Sequence, residues 1–296
     1  MCSNFWGETN RSIDIEKARE SFVRDFQYII SLGYVESHRS HNTGIGKTFE
    51  DLMEVEENNL STADYKGCIE LKSQRSKTSS MLSLFTKSPS SPPKANSILR
   101  QKYGYPDTES GFNILHSTIK YSSFNQFKNK WGFKLEIDEK NKRLVLLVKN
   151  LRTNELEEFK PFWDFKDLNT KISTKCSLIA YITAESKELN QKEYFHFTKA
   201  ILLSGLTLEK FIMLIRGDII LFDIRIGAYR SGKNKGKIHD HGSGFRVHRR
   251  DIPKVFNIEE INLTPSVNNF KKPKLKREKK SESQIEITKY LKTDEK

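Results

Sequence analysis

The sequence predicts an α/β protein of the α+β kind, in which helices pack on a sheet. Apolar residues at helical spacing between residues 13 and 31 predict an amphipathic helix. Alternation of apolar and polar residues predicts strands at Ile69–Lys72 and Leu221–Gly227, and two such runs between residues 133 and 148 predict a hairpin. The chain has 296 residues, of which 36% are hydrophobic, enough to form a buried core.

Further elements follow along the chain. Gly44 and Gly46 form a predicted turn that opens a second helix. Residues 177–183 are continuously apolar enough for a buried strand, and residues 199–215 are apolar enough to contain a helix packed over the sheet. Gly205 is the expected break within the latter segment.

The composition points to a polyanionic partner. The formal net charge is +13, and lysines and arginines that neutralise phosphates gain affinity by releasing counterions. A nucleic acid and an acidic membrane both fit this charge. The first residues lack the apolar segment of a secretion signal, and the three cysteines lack metal-ligand spacing. We therefore expect no zinc site, no disulfide and a reducing, cytoplasmic location.

The most informative stretch runs from Asp64 to Lys72. A strand here would place Glu70 and Lys72 on one face and Ile69 and Leu71 in the core. Two carboxylates this close need a cation to stay ionised, and oxygen ligands of this kind suit Mg²⁺, which keeps waters for substrate phosphates. Lys72 would then hold or polarise an attacking water. The alternative is a surface strand that carries an ordinary Glu/Lys pair.

This stretch resembles the active-site signature of the PD-(D/E)xK nucleases, with Ala63 in place of the proline that names the motif. Other segments resemble the MvaI/BcnI restriction endonucleases and, more distantly, the mismatch-repair nickase MutH. These segments are residues 43–50, 73–77, 82–86, 222–227 and 239–246. The resemblance covers most of the chain between Gly33 and Val247.

The resemblance implies a fold and an architecture. The expected fold is a restriction-endonuclease-like core with a mixed central sheet flanked by helices, together with a β-ribbon recognition lobe. Residues 1–175 would form mainly the catalytic lobe and residues 176–263 mainly the DNA-recognition lobe. Residues 264–296 would form a flexible basic tail, because lysines and arginines crowd between Lys271 and Lys280.

It also implies an activity. The expected protein is a Mg²⁺-dependent type II endonuclease that cuts double-stranded DNA at a short G·C-flanked site of CC-N-GG form. The expected oligomeric state is a monomer that nicks the two strands in turn, with a matching DNA methyltransferase as its genetic partner. Asp64 and Glu70 would bind the metal, Lys72 would position the water, and Glu50 would support the site. Arg75, directly after the catalytic strand, would contact phosphate, with ordinary surface charge as the alternative.

The segment from Asp218 to His248 is the candidate base reader. Two-stranded ribbons fit the major groove, where arginine donates two hydrogen bonds to guanine and a carboxylate accepts one from cytosine. Asp223 and Arg225, on one strand face, would read one G·C pair. The other predicted readers lie on the second strand, and they are His239, Asp240, His241 and Arg246.

Simpler roles stay open for these residues. Asp223 and Arg225 could form an ion pair of small energetic value. The pair His239 and His241 could ligate a metal, although the sequence offers no cysteine or third histidine beside them. Two other classes of protein also remain possible, namely a MutH-like nickase recruited by repair proteins and a DNA-binding protein without catalysis.

Overall fold

The computed structural model of the chain describes residues 5–55, 62–230 and 232–261, with side chains described from residue 14 onward. The six α-helices within these residues are α1 Phe5–Leu32, α2 Gly44–Leu52, α3 Ala95–Tyr103, α4 Phe165–Lys175, α5 Leu208–Arg216 and α6 Ile252–Val255. No helix in these ranges is long and apolar enough to span a membrane. The predicted basic tail, residues 264–296, lies outside the described residues.

The described residues also form fourteen strands. The first seven are β1 Val35–Glu36, β2 Glu70–Arg75, β3 Leu82–Thr86, β4 Tyr105–Pro106, β5 Asn113–Ile119, β6 Trp131–Asp138 and β7 Arg143–Asn150. The other seven are β8 Phe162–Asp164, β9 Leu178–Leu189, β10 Lys192–Ser204, β11 Ile220–Ala228, β12 Ile238–Asp240, β13 Gly244–Val247 and β14 Asn257–Glu260.

The chain divides into two compact units, each built from separate segments. The first unit takes its described residues from Met1–Ser79, Ser177–Ser204 and Asn257–Lys296, and the second from Ser80–Cys176 and Gly205–Phe256. These bounds differ from the expected division at residue 175, because strands that are distant in sequence pair within one sheet. The assignment of catalysis and recognition to separate lobes stays a prediction.

The first unit is built on a mixed sheet in the order β1-β10-β9-β2, with β14 also paired to β10. Strand β2 runs parallel to β9, whereas β9 and β10 are antiparallel. Helix α1 packs on this sheet because its apolar residues recur every three or four positions, and Phe22 and Phe26 are fully buried. Phe26 contacts Phe49 of α2, which in turn contacts Phe197 of β10. The predicted mixed sheet with flanking helices is confirmed.

The second unit contains two sheets. Strands β3-β13-β11-β5-β4 form one, with β12 paired to the end of β11, and β6-β7-β8 form the other. A cluster of aromatic rings fills the core, where Phe245 contacts Trp163, Phe211 and Phe222. The predicted hairpin between residues 133 and 148 is observed as β6 and β7, which pair along their full length.

The prediction for residues 199–215 is confirmed, because the segment contains the helix α5 and Gly205, whose φ is +84°, separates this helix from the end of β10. One prediction needed correction. The ribbon between residues 218 and 248 is not a free two-stranded arm. Strand β11 pairs with β5 on one edge and with β13 and β12 on the other, so it is an interior strand.

We expect Phe26→Ala to destabilise the protein strongly. The ring is fully buried between α1 and α2, and removal of a buried phenylalanine side chain costs about 3–5 kcal/mol through lost transfer energy and the cavity left behind. Guanidinium unfolding followed by circular dichroism measures the change. The control is Phe112→Ala, since Phe112 is 50% exposed and its removal should cost well under half as much. Equal losses for both variants would contradict the described packing.

Candidate functional site

A tight hairpin brings the predicted catalytic residues together in the first unit. Lys66 and Gly67 both have positive φ, at 51° and 69°, and the N–H of Cys68 donates to the carbonyl of Tyr65 at 3.0 Å. Two consecutive residues of positive φ form a type I′ turn, which joins antiparallel segments with the natural twist. The turn reverses the chain between Asp64 and β2, so the aspartate returns to the beginning of that strand.

The hairpin holds Asp64 against the catalytic strand. The N–H of Leu71 donates to Asp64 Oδ2 at 3.1 Å, so this carboxylate lies beside the backbone that separates Glu70 from Lys72. The hairpin is fixed to α1 by the hydroxyl of Tyr65, which donates to Asp25 at 2.5 Å. Burial of the ring and the adjacent carboxylate raise the pKa of Tyr65, so this hydroxyl stays a donor.

Glu70 and Lys72 lie on one face of β2, as the alternation predicted. Lys72 Nζ donates to Glu70 Oε1 at 2.6 Å, and the Glu70 side chain is only 5% exposed against 26% for the lysine. A carboxylate so deeply buried requires a compensating charge. Lys72 supplies one, and a bound cation would supply another.

Among the predicted catalytic residues, the structure pairs Glu70 with Lys72 and holds Asp64 against the backbone of Leu71 between them. Glu50 lies on α2, which packs on β2, and its Oε1 points back toward Gly46 one turn earlier. Its role in the site stays a prediction.

The donor set fits one kind of metal site. The described residues contain no cluster of three or more histidine, cysteine, aspartate or glutamate side chains arranged to hold a metal. Mg²⁺ does not need such a cage, because it is usually bound by one or two carboxylates and completes its shell with water and substrate phosphate oxygens. Asp64 and Glu70 are therefore the residues that would hold this ion.

Arg75, at the end of β2, is engaged within the protein. Its Nε and Nη2 both lie 2.6 Å from the carboxylate of Glu193, and its guanidinium also reaches the carbonyls of His41 and Asn42. A bidentate pair of this kind fixes both partners. Arg75 therefore ties the loop before α2 to the sheet, and its contact with phosphate stays a prediction.

In the second unit, Asp223 and Arg225 lie on the same face of β11. Thr118 Oγ1 donates to Asp223 Oδ1 at 2.8 Å, and Arg225 Nε is 3.9 Å from Asp223 Oδ2. The Arg225 side chain is 47% exposed, whereas that of Asp223 is 15% exposed. The ion pair between Asp223 and Arg225 is therefore long, and the Arg225 side chain is accessible to a ligand.

Arg246 is the buried arginine of this group. Its Nη1 donates to Ser83, its Nη2 donates to the carbonyl of Gly242 at 2.8 Å, and its Nε is 3.1 Å from Asp223 Oδ2. Burial, followed by repulsion from Arg225, lowers the pKa of Arg246 from its usual value. Nε makes no hydrogen bond with the described residues, so its contact with Asp223 is an ion pair only.

His239 and His241 meet each other and a third histidine. The ring of His239 stacks on Tyr229 at 4.2 Å between centroids and meets the edge of His241 at 4.6 Å. A Cβ on Gly227 would lie 3.0 Å from His241 Nε2 and 3.2 Å from His116 Nε2, so a larger residue here would crowd both rings. Burial, with Arg225 adding to it, lowers the pKa of His116 and His241, which favours neutral rings.

Sequence reasoning missed His116. It lies on β5, opposite Arg225 in the pairing of β5 with β11. These strands are about a hundred residues apart in sequence, so no local pattern connects them. Alternation of apolar and polar residues within Asn113–Ile119 shows which face of the strand His116 occupies. It does not show which strand lies beside it.

Comparison with known proteins agrees with this geometry. A family model described as MvaI/BcnI restriction endonuclease matches residues 23–256. A solved structure titled "Restriction endonuclease MvaI-cognate DNA substrate complex" is 38% identical, with a TM-score of 0.77 and coverage of 82% of this chain and 98% of that chain. A second, "Restriction endonuclease MvaI in the absence of DNA", is also 38% identical, with a TM-score of 0.51 and coverage of 81% and 96%. A search of curated proteins found no match.

The family model extends over well more than half of the chain, and it includes both the Asp64–Lys72 hairpin and the face of β11. The fold and the length of the match agree with those of the MvaI structure. The chain therefore belongs to the MvaI/BcnI restriction endonuclease family and is a site-specific deoxyribonuclease.

Proposed function

We propose that the protein is a type II restriction endonuclease that hydrolyses phosphodiester bonds of double-stranded DNA with Mg²⁺ as its cofactor. The ion pair of Glu70 and Lys72 on β2, with Asp64 bonded to the backbone between them, supports this proposal. One of the similar structures is titled as a complex of MvaI with its cognate DNA, which supports double-stranded DNA as the ligand of this chain. The net charge of +13 supports the same ligand.

The proposed chemistry divides among the site residues. Asp64 and Glu70 would hold the cation, which when bound would stabilise the charge that develops on the phosphate oxygens. Lys72, kept beside Glu70 at 2.6 Å, orients the attacking water through its ammonium group. Glu50 supports the arrangement from α2. Little covalent chemistry is asked of the protein, because phosphoester hydrolysis depends mainly on alignment and charge stabilisation.

Specificity is assigned to the second unit. Arg225, the most exposed charged residue on the face of β11, would donate to a guanine, with Asp223 accepting from its cytosine partner. His239, His241 and Arg246 border the same face, and Asp240 shapes the turn beside it. We propose a site of CC-N-GG form on the family resemblance. Arg75 would act at the phosphate backbone.

The remaining parts of the proposal concern the setting. The protein would act as a monomer that nicks one strand, dissociates, and nicks the other. It would be cytoplasmic, where it meets incoming DNA, and a DNA methyltransferase of the same specificity would protect the host. Lysines of the turn between β11 and β12, such as Lys233, Lys235 and Lys237, would contribute contacts to the backbone.

Digestion of a supercoiled plasmid with one CC-N-GG sequence tests the activity and the site together. In Mg²⁺ we expect a nicked circle to appear first and linear DNA to follow, with run-off sequencing placing both breaks within that sequence. Chelation of the metal should stop the reaction. Cutting elsewhere would refute the proposed site. Absence of cutting with binding retained would favour the repair nickase or the silent DNA-binding protein.

The variant Lys72→Ala tests the proposed catalytic role. Loss of the water-orienting ammonium should lower the single-turnover cleavage rate by about 10²–10⁴-fold, the usual contribution of a positioned acid–base group, while affinity for the site changes little. Lys17→Ala is the matched control, because Lys17 is an exposed lysine on α1 of the same unit. An unchanged rate in Lys72→Ala would remove the lysine from the mechanism.

The variant Arg225→Ala tests base reading. A bidentate arginine–guanine contact contributes about 1–3 kcal/mol of discrimination, so the ratio of kcat/KM between the site and a site with one altered G·C pair should fall by roughly five- to 150-fold. Arg216→Ala is the control, because Arg216 lies in the same unit, is 48% exposed and is likewise paired with a carboxylate. Competition between two duplexes of different length in one reaction gives the ratio directly. A ratio equal to that of the parent would contradict the assignment.

A further inference from the structure

The carboxylate of Asp240 accepts four hydrogen bonds from the protein. Oδ1 accepts from the N–H of Gly242 at 3.0 Å and from both the N–H and the hydroxyl of Ser243, at 2.7 and 2.8 Å. Oδ2 accepts from Asn96 Nδ2 at 2.8 Å. Each carboxylate oxygen offers about two acceptor positions, so the protein fills those of Oδ1 and occupies one of those of Oδ2.

The turn that Asp240 organises leads directly to the two arginines. Ser243 is buried, and its hydroxyl, having donated to Asp240, accepts from the N–H of Arg225 at 2.9 Å. The carbonyl of Gly242 accepts from Arg246 Nη2 at 2.8 Å. Gly242 has a φ of +92°, a conformation that glycine adopts without strain. The turn of residues 240–243 therefore fixes the backbone of one arginine and the side chain of the other.

Asn96 holds this turn from outside. It lies in the first turn of α3, and its amide nitrogen donates both to Asp240 Oδ2 and to Ser88 Oγ, the latter at 3.1 Å. Its Oδ1 is buried and has no hydrogen-bond partner among the described groups. The opposite orientation of the amide would place that oxygen against a carboxylate. The unpaired oxygen costs free energy, because a buried acceptor without a hydrogen bond loses its hydration. The hydrogen bond from Asn96 to the charged Asp240 offsets this cost.

We propose that Asn96 is a positioning residue for sequence recognition, and that Asp240 acts through the turn it organises. The chain of contacts runs from Asn96 through Asp240 and Ser243 to Arg225. This inference rests on the proposed function, in which Arg225 reads the DNA. It places a specificity determinant on α3, outside the face of β11.

Exchange of the two side chains distinguishes a positioning carboxylate from a base-reading one. Asn96→Asp places two carboxylates in contact, and Asp240→Asn places two amide groups in contact, so each single variant breaks the bond. The double variant N96D/D240N restores it with donor and acceptor reversed, because Asn at 240 donates to Asp at 96. In this double variant the amide oxygen introduced by D240N still faces the donors of Gly242 and Ser243. The probes are a duplex with one CC-N-GG sequence and a duplex with one of its G·C pairs altered.

We expect each single variant to lower the ratio of kcat/KM between the two duplexes by about tenfold or more, as for loss of a hydrogen bond to a charged group. The exchange should bring the ratio back to within about threefold of the parent, because most of the network is re-formed. Asn96→Ala, which removes the donor without adding charge, should lower the ratio several-fold. An exchanged protein no better than Asp240→Asn, or an Asn96→Ala protein with an unchanged ratio, would overturn the inference.

Two controls separate the possible failures. Asn141→Asp makes the same change where Asn141 Nδ2 donates to Asp138 Oδ2 at 2.7 Å in the turn between β6 and β7, and it should leave the ratio unchanged. Arg225→Ala is measured in parallel. If it keeps the preference of the parent, the proposed reading surface fails. If it loses that preference while the exchange does not recover it, only the role of Asn96 and Asp240 fails.

Discussion

The hydrogen bond from the backbone of Leu71 to Asp64 is the contact on which the candidate active site depends. It works only because the turn at Lys66 and Gly67 reverses the chain and because β2 is held straight by its pairing with β9. Five residues lie between the two acids in the sequence. The turn converts that separation into proximity, and the buried position of Glu70 then makes a neighbouring positive charge a requirement.

Much of the first unit could be predicted from local sequence. Alternation around Ile69 and Leu71 gives the faces of β2, and the spacing of Phe22 and Phe26 gives the buried side of α1. Asp64, Glu70 and Lys72 could be proposed as site residues because two carboxylates and a lysine at this spacing suit metal binding and activation of a water. The ion pair between Arg75 and Glu193 could not, since the two residues lie on strands whose pairing is fixed by the whole sheet. An arginine after a catalytic strand looks the same in sequence whether it contacts phosphate or a carboxylate of its own chain.

The second unit shows the limit more clearly. The alternation along β11 correctly placed Asp223 and Arg225 on one face, but it could not show that both edges of the strand are paired. A period of two is the same for a free ribbon and for an interior strand. For the same reason the sequence suggested that no third histidine accompanied His239 and His241, whereas the pairing of β5 with β11 brings His116 to them. Long-range register, and not local propensity, decides which side chains share a site.

The interleaving of the two units has a consequence for synthesis of the chain. Strand β2 carries Glu70 and Lys72, yet its partner β9 begins only at Leu178, after the whole first segment of the second unit. A nascent polypeptide on the ribosome therefore lacks the neighbour that holds this strand until more than half of the message has been translated. Prematurely terminated products lack it as well. The strand that carries the candidate catalytic residues can therefore join its sheet only late in translation.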